Sequence, residues 1–554
     1  MADSVKTRLR ALLPQRSDLD ALRRDPRRDL LAGLTVAVVA LPLALAFGAT
    51  SGLGAEAGIA TAVVAGAVAA IFGGSNLQVS GPTGAMTVVL VPVVHQFGAT
   101  GVLFVGFLAG LLLIALGWAG MGRYVRFLPA PVVEGFTAGI AVVIALQQVP
   151  AALGVKAGDQ ERVWAVAFQA VKDYVADPAL APPLVALAVC FLMLAGARRR
   201  PVFPFSLLGV VLATVASAVF GLDLAPIGDL PAGLPAPSLG FIDFGSVTQL
   251  LPAVVAVTAL AALESLLSAT VADGMSVGEQ HDPDRELFGQ GLANLAAPVF
   301  GGIPATAAIA RTAVNVRAGA GSKLAALTHA LILLAIILVA APLVSKIPLA
   351  ALAGVLLATT VRMVEVGSLR AMARATRGDA MVLVLTFAIT VIFDLVAAVV
   401  VGLGVAIVIA LRSVAQSASL EEVPLDHADH SREERELLSQ HIVAYRLDGP
   451  LFFAAAHQFL LELAEVADVR VVILRMARVS TIDATGAQVL GDAIGKLEQR
   501  GIVVLISGIS EDHSDVLDRL GAASHLRDSG RVFGDTPSAI RYARNLALAD
   551  PIPA

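Results

Sequence analysis

Charged residues are scarce in this chain of 554 residues: only 15% are Asp, Glu, Lys or Arg, whereas 57% are hydrophobic. A soluble globular domain has about 25% charged and about 45–50% apolar residues, so this composition excludes that class and indicates a membrane protein. The formal net charge is -5. Because no basic excess is present, we expect no nucleic-acid partner.

Cysteine is almost absent as well, since Cys190 is the only one in the sequence. A single cysteine excludes an internal disulfide, and no metal-ligand spacing surrounds it, so we expect no metal site. The sequence also lacks the phosphate-binding loop of ATP-driven pumps and the His-Glu-x-x-His and Gly-x-Ser-x-Gly patterns of hydrolases. We therefore expect a protein that is not an enzyme and has no cofactor.

Apolar runs dominate the chain from residue 29 to about residue 415. A helix needs about 20 apolar residues to cross a bilayer, and charged or Gly/Pro breaks divide this region into about fourteen runs. Two of them, 83–96 and 306–316, are too short to cross alone. The predicted runs are 31–49, 56–73, 83–96, 101–118, 131–150, 180–197, 203–220, 248–271, 286–300, 306–316, 322–344, 348–362, 379–393 and 395–413.

Basic residues predict the orientation of these spans. The first 28 residues are polar and basic, which indicates a retained cytoplasmic segment rather than a signal peptide. With the N-terminus inside, the even-numbered loops should be basic, and most of them are. We therefore expect an inner-membrane protein with both termini in the cytoplasm, and we interpret 152–178 as a long outside loop. The basic residues of the inside loops are Arg123, Arg126, Arg198, Arg199, Arg200, Arg317, Lys323, Arg370, Arg374 and Arg377.

A soluble domain follows the membrane region. Val469–Leu474 and Ile502–Ile506 are β-rich runs, whereas Gly486–Gln499 and Asp515–Leu520 have helical patterns, which together predict a small α/β domain. The predicted division is a cytoplasmic segment at 1–28, a transmembrane domain at 29–415, a charged linker at 416–436 and the α/β domain at 437–554.

Two segments, about seven spans apart, resemble each other. In each, an apolar run ends in Phe-Gly-Gly, at Phe72–Gly74 and at Phe300–Gly302. A short extended stretch with a proline and then a threonine follows, and a short helix begins. An odd number of spans per repeat places the two halves in opposite orientations, which is the inverted-repeat plan of secondary transporters.

The two short helices predict an anion site. Extended backbone inside a membrane is tolerated where it lines a cavity, and a helix N-terminus offers free N–H groups and positive potential. Small residues allow a ligand to approach the backbone closely. The alternative is that these residues only pack helices and cap them. The predicted substrate-binding residues are Gly81, Pro82, Thr83, Gly84, Ala85, Ala305, Thr306, Ala307, Ala308 and Arg311.

Glu264 lies in the middle of an apolar run, where a carboxylate is costly and a functional role is expected. We predict that it carries the coupling ion, a proton, with Ser268 one turn further on the same face; a sodium site is the alternative. Arg311 lies in the second short helix, predicted to span Thr306–Val316. It either attracts the anion or snorkels to the cytoplasmic face.

At Val79–Met86, Glu264–Ser268 and Gly302–Asn315, the chain resembles the SulP (sulfate permease) family of anion transporters, and Asp483–Gly486 resembles the signature of the STAS domain that ends these proteins. The resemblance implies an all-α polytopic membrane domain with a 7+7 inverted repeat, divided into a core (spans 1–4 and 8–11) and a gate (spans 5–7 and 12–14), plus the α/β STAS domain. It implies an elevator-type motion, a homodimer and a possible cytoplasmic partner of the STAS domain.

The resemblance also implies a secondary active transporter for small anions such as bicarbonate, sulfate or C4-dicarboxylates. In similar family members the acidic residue at the Glu264 position is linked to cation coupling. Sodium-coupled bicarbonate carriers have Asp and Thr in place of Glu264 and Ser268 and lack an arginine at position 311, which favours proton symport here. A sodium-coupled bicarbonate symporter, an anion exchanger, and a channel-like or sensory protein that signals through its STAS domain are the alternatives.

Overall fold

The structure is a computed structural model that describes residues 8, 10–127, 129–156, 158, 160, 162–200, 203–276, 280–393, 395–416, 419–423, 441–453 and 469–549. Most of the predicted linker, at 424–436, lies outside these residues. The chain forms two compact units, Met1–Leu403 and Gly404–Ala554. The predicted domain bounds, with the membrane domain ending at residue 415, stay a prediction.

The first unit is helical, as predicted. In the described part of the chain, nine helices are long and apolar enough to cross a membrane, which makes this a multi-pass membrane protein. The count of about fourteen spans stays a prediction. The helices are α1 Arg16–Arg24, α2 Pro26–Thr50, α3 Ala55–Phe72, α4 Gly84–Ala119, α5 Ala130–Gln147, α6 Val149–Leu153, α7 Val163–Ala176, α8 Ala181–Arg199, α9 Phe205–Phe220, α10 Val247–Met275, α11 Pro283–Val299, α12 Ile309–Arg317, α13 Lys323–Val344, α14 Leu349–Met363, α15 Val366–Ala375, α16 Arg377–Ile392 and α17 Leu395–Gln416.

Local sequence signals set several helix ends. Asp25 caps α2 by accepting a hydrogen bond from the Arg28 N–H, and Pro26 occupies the first turn. Ser322 caps α13 in the same way, through the Leu324 N–H. Gly120 ends α4 in the left-handed conformation, with φ 78°. These capped ends agree with the breaks between the predicted apolar runs.

Gly98 interrupts α4 with φ 68° and ψ -172°, at the point where the sequence predicts a break between its third and fourth apolar runs. The predicted outside loop at 152–178 contains a helix, α7, whose Ala167 and Ala170 are buried, and its location outside stays a prediction.

The two similar segments meet in a pair of very short strands. Strand β1 (Ser80–Gly81) pairs antiparallel with β2 (Thr306–Ala307), so that Ser80 lies opposite Ala307 and Gly81 opposite Thr306. Both segments are therefore extended, adjacent and opposite in direction, as an inverted repeat requires. Neither segment is part of an unbroken membrane-crossing helix, as the predicted anion site requires.

The second unit contains the α/β domain. Its sheet has the order β3-β4-β5-β6-β7, in which β3 is antiparallel to β4 and the other neighbours are parallel. Helix α18 packs on one face of the sheet and α21 on the other. The elements are β3 Ser419–Val423, β4 Ile442–Leu451, β5 Val471–Ile482, α18 Ala484–Gln499, β6 Val503–Ser507, α19 Glu511–Arg519, α20 Ser524–Asp528, β7 Val532–Phe533 and α21 Thr536–Ala549.

Candidate functional site

The helices that follow the two extended segments begin at the paired strands. Helix α4 begins at Gly84, and the Thr83 hydroxyl caps it by accepting from the Met86 N–H at 3.4 Å. Helix α12 begins at Ile309 without a side-chain cap. The prediction that this helix begins at Thr306 is wrong, because pairing with β1 keeps Thr306 and Ala307 extended. Arg311 is therefore the third residue of α12.

Polar side chains from neighbouring helices satisfy the extended backbone. Asn294 holds both backbone groups of Ala305: its Oδ1 accepts from the N–H at 2.8 Å and its Nδ2 donates to the carbonyl at 2.9 Å. The Thr312 hydroxyl accepts from the Val79 N–H at 3.1 Å. Similar hydrogen bonds join Asn315 to the Leu77 carbonyl, Thr61 to the Ile303 carbonyl, and the Ala307 N–H to the Ser265 hydroxyl.

Sequence reasoning did not assign these backbone-binding roles. The signal that could have found Asn294 is an amide inside an otherwise apolar run, where an unpaired polar group would be costly. Gln290, one turn earlier on α11, follows the same rule and donates to the Ser80 hydroxyl at 2.6 Å. A buried polar residue in a membrane helix can thus form hydrogen bonds to an extended segment that is far away in the sequence.

Glu264 joins the two halves. Its Oε2 atom accepts one hydrogen bond from the Thr83 hydroxyl at 2.8 Å and another from the Thr306 hydroxyl at 2.6 Å. We expected both threonines to offer their hydroxyls to an anion, but in this structure each donates to the carboxylate. The carboxylate of α10 therefore lies where the first extended segment, which contains β1, meets the second, which contains β2.

Arg311 completes the charged part of the site. Its side chain is 2% exposed, and its Nη2 atom donates to the Pro82 carbonyl at 2.9 Å. A Cβ atom placed on Gly81 would lie 2.6 Å from Nη1, so only glycine leaves room for the guanidinium here. Arg311 also interacts electrostatically with Glu264. The structure places this arginine against the first extended segment rather than at the cytoplasmic surface.

The remaining predicted residues form the lining. A Cβ atom on Gly84 would lie 2.3 Å from Ile144 of α5 and 3.0 Å from Phe47 of α2, so this helix start is tightly enclosed. Ser268 is buried and donates to the Thr312 hydroxyl at 3.0 Å, one turn away from the Glu264 carboxylate. Ala85, Ala305 and Ala307 are buried, and Ala308 is partly buried. In the described residues, no group of three or more His, Cys, Asp or Glu could hold a metal ion.

In the α/β domain, Asp483 caps α18 and accepts hydrogen bonds from the N–H groups of Gly486 and Phe453. Thr485 is exposed in the first turn of this helix. Asp483, and not Thr485, is therefore the side chain that caps this helix.

Residues 27–386 match the sequence model of the Sulfate permease family. The chain belongs to this family. Residues 438–538 match the STAS domain. This sulfate permease family member is 31% identical over 94% of both chains to the bicarbonate transporter BicA of Synechocystis sp.. It is 26% identical to sulfate transporter 4.1, chloroplastic, of Arabidopsis thaliana, over 94% of this chain and 81% of the relative.

Two solved structures resemble this sulfate permease family member. The transmembrane domain of a cyanobacterial bicarbonate transporter BicA matches with a TM-score of 0.62 and 33% identity, over 69% of this chain and 98% of that chain. The murine Solute Carrier 26 family member A9 anion transporter, in its inward-facing state, matches with a TM-score of 0.84 and 18% identity, over 97% and 95%. The second likeness concerns the fold alone. The family match and these likenesses together indicate that the site is that of a membrane anion transporter.

Proposed function

We propose that this protein is a proton-coupled symporter for small anions of the bicarbonate, sulfate or C4-dicarboxylate class. The observation that carries the proposal is the Glu264 carboxylate, which accepts hydrogen bonds from Thr83 and Thr306 and so touches both halves of the repeat. The names of the relatives, a bicarbonate transporter and a sulfate transporter, support the substrate class.

The anion binds between the starts of α4 and α12. Both helices direct free N–H groups and the positive ends of their dipoles toward the paired strands. Arg311 adds a full positive charge, and its Nη1 atom has no hydrogen-bond partner among the described residues. A buried guanidinium donor without a partner is suited to donate a hydrogen bond to a carboxylate, bicarbonate or sulfate oxygen.

Glu264 couples the proton to the anion through Arg311. When Glu264 is ionised, its negative charge compensates Arg311 and repels an incoming anion. When Glu264 is protonated, the charge of Arg311 is available to the anion. The proton and the anion therefore favour each other's binding, which is the thermodynamic requirement of symport.

Transport proceeds by an elevator-type motion in a homodimer in the inner membrane, with both termini in the cytoplasm. The core would comprise spans 1–4 and 8–11, which contain both extended segments, Glu264 and Arg311. The gate would comprise spans 5–7 and 12–14. The contact of Ile144 of α5 with the start of α4 supports a boundary between the two at the anion site. The STAS domain would offer its surface to a cytoplasmic partner.

A proteoliposome experiment tests the proposal. In vesicles containing the wild-type protein, an inward proton gradient should drive uptake of radiolabelled bicarbonate, sulfate or succinate in the absence of sodium. Glu264→Gln should abolish gradient-driven accumulation, because the amide cannot exchange a proton. It should retain anion counterflow, since a neutral side chain leaves Arg311 free for the anion.

Glu134→Gln is the matched control. Glu134 is also a partly buried acid, but its carboxylate accepts from the Ser368 hydroxyl at 2.6 Å, away from the paired strands. This variant should accumulate anion as the wild type does. Unchanged gradient-driven uptake in Glu264→Gln would exclude proton coupling through this residue, and uptake that depends strictly on sodium would favour the alternative cation.

A further inference from the structure

A second buried polar group lies near Arg311. His329 of α13 has 0% exposure, and neither of its ring nitrogens has a hydrogen-bond partner among the described residues. A neutral imidazole has one donor and one acceptor nitrogen, and buried polar groups of this kind almost always have partners. The Nη1 atom of Arg311 is likewise buried and without a partner in the described part of the chain.

The neighbours of His329 place it at the first extended segment. Ala326, one turn earlier on α13, packs in a cluster with Val79. Ala330, the next residue along, lies 3.7 Å from the position that a Cβ atom on Gly66 would take, and the Ser80 carbonyl oxygen lies 3.3 Å from that same position. His329 therefore lies on α13 between Ala326, which clusters with Val79, and Ala330, which packs toward Gly66 as Ser80 does.

Arg311 reaches the same segment from α12. Its guanidinium contacts Gly81 and Pro82, the two residues that directly follow Ser80. The charge of Arg311 acts on His329 as well as on Glu264. The arginine thus has an acid on one helix and an imidazole on another within electrostatic reach. A guanidinium donor without a partner thus contacts the first extended segment, and an imidazole without a partner in the described residues lies on the neighbouring helix α13.

We propose that His329 is a positioning residue for Arg311, and that its acceptor nitrogen receives a hydrogen bond from Nη1 through one water while the anion is bound. The Nη1 atom carries two N–H groups, so this contact fixes the guanidinium toward the paired strands while another N–H group remains for the anion. The inference rests on the proposed anion site and adds a residue that determines anion affinity without contacting the anion.

The experiment compares His329→Leu, which removes the acceptor, with His329→Gln, which keeps one. Initial rates of sulfate and bicarbonate uptake in proteoliposomes give KM and Vmax for each variant. We expect His329→Leu to raise KM by about tenfold, the usual consequence of one lost hydrogen bond to a charged group, with Vmax within about twofold of wild type. His329→Gln should restore KM to within about threefold of the wild-type value.

Two further variants make the test specific. In an Arg311→Gln background, His329→Leu should have no additional effect on KM, because the two side chains act through one contact. Gln147→Leu is the matched control, since the Gln147 amide is also buried without a partner in the described residues but lies on α5, away from Arg311. It should leave KM unchanged.

The proposal is overturned if His329→Leu leaves KM unchanged, if His329→Gln is as impaired as His329→Leu, or if the His329 and Arg311 effects add. Should His329→Leu not give a monodisperse protein in detergent, His329→Phe, which keeps a ring but removes the acceptor, replaces it in the same cycle. Failure of the proposed function has a different signature: wild-type vesicles would take up none of the anions, or Arg311→Gln alone would leave KM unchanged.

Discussion

The two halves of the membrane unit have the same backbone plan but different chemistry. Each half has an extended segment followed by a helix start, and the two segments pair antiparallel. In the first half, helix α4 is capped by Thr83 and begins with Gly84 and Ala85. In the second half, α12 has no side-chain cap, and the half supplies both charged residues, Glu264 and Arg311. Repetition thus accounts for the shape of the site but not for its charges.

This difference separates two tasks. The first half supplies backbone and small residues against which Arg311 packs, at Gly81 and Pro82. The second half supplies the groups that respond to protons and anions. Because an inverted repeat needs only matching backbones, charges can be placed in one half without loss of the fold.

The largest expected effect concerns the side chains that satisfy the two extended segments. Asn294 holds two backbone groups of the second segment, whereas Asn315 holds only the Leu77 carbonyl of the first. Asn294→Ala should therefore destabilise the protein by about 2–4 kcal/mol and Asn315→Ala by about 1–2 kcal/mol, because each buried group left unpaired costs about 1–3 kcal/mol. Unfolding of each variant in mixed micelles, followed by circular dichroism, measures the difference.

The matched control for this pair is Asn→Asp at both positions, which keeps an acceptor but loses the amide donor. Asn294→Asp can still accept from the Ala305 N–H, but its second carboxylate oxygen would lie against the Ala305 carbonyl oxygen and repel it. Asn315→Asp loses its only hydrogen bond to backbone in the described structure. Equal losses for Asn294→Ala and Asn315→Ala would contradict the argument that the second segment depends more on side chains.

Several features of the site follow from the sequence. The Phe-Gly-Gly repeats with proline and threonine predict the two extended segments, and opposite orientation predicts that they meet, as β1 and β2 do. The lone acid in an apolar run singles out Glu264 in the same way, and the structure places it at this meeting point. Each of these features has a local cause: a backbone break or an uncompensated charge is visible within about ten residues.

The orientation of individual side chains does not follow from the sequence. Nothing near Arg311 in the chain indicates that its guanidinium contacts Pro82, because that partner comes from the other half of the repeat. The start of α12 depends on pairing with β1, which is a tertiary contact that local helix signals do not record. Ser268 illustrates the same limit, since helical spacing puts it near Glu264 while its hydroxyl binds Thr312.

A smaller effect compares the two threonines that donate to Glu264. Thr83→Val and Thr306→Val each remove one hydrogen bond to the same carboxylate oxygen while nearly preserving side-chain volume. Each variant should reduce the rate of gradient-driven anion uptake by about fivefold, corresponding to about 1 kcal/mol for one hydrogen bond. Thr→Ser at either position keeps the hydroxyl and should retain wild-type uptake. A loss confined to one threonine would show that only one half of the repeat holds the carboxylate.

The smallest effect concerns the start of α11, where Asp18 of α1 binds Arg285 and lies 3.9 Å from Lys323. Burial raises the pKa of Asp18, but the hydrogen bonds from Arg285 and the Gln15 N–H and the charge of Lys323 outweigh it and hold the pKa below 3.8. A pKa that is lower in the folded state than in the unfolded chain means that this carboxylate stabilises the fold above about pH 4, and that the contribution is lost as pH falls through the folded value. Asp18→Asn should therefore lower the Tm in detergent at pH 7, by an amount equivalent to about 1 kcal/mol or less. The difference from wild type should shrink as the pH falls through the folded-state pKa of Asp18, because below that pKa both side chains are neutral. A difference that persists there would assign the effect of Asp18 to packing rather than charge.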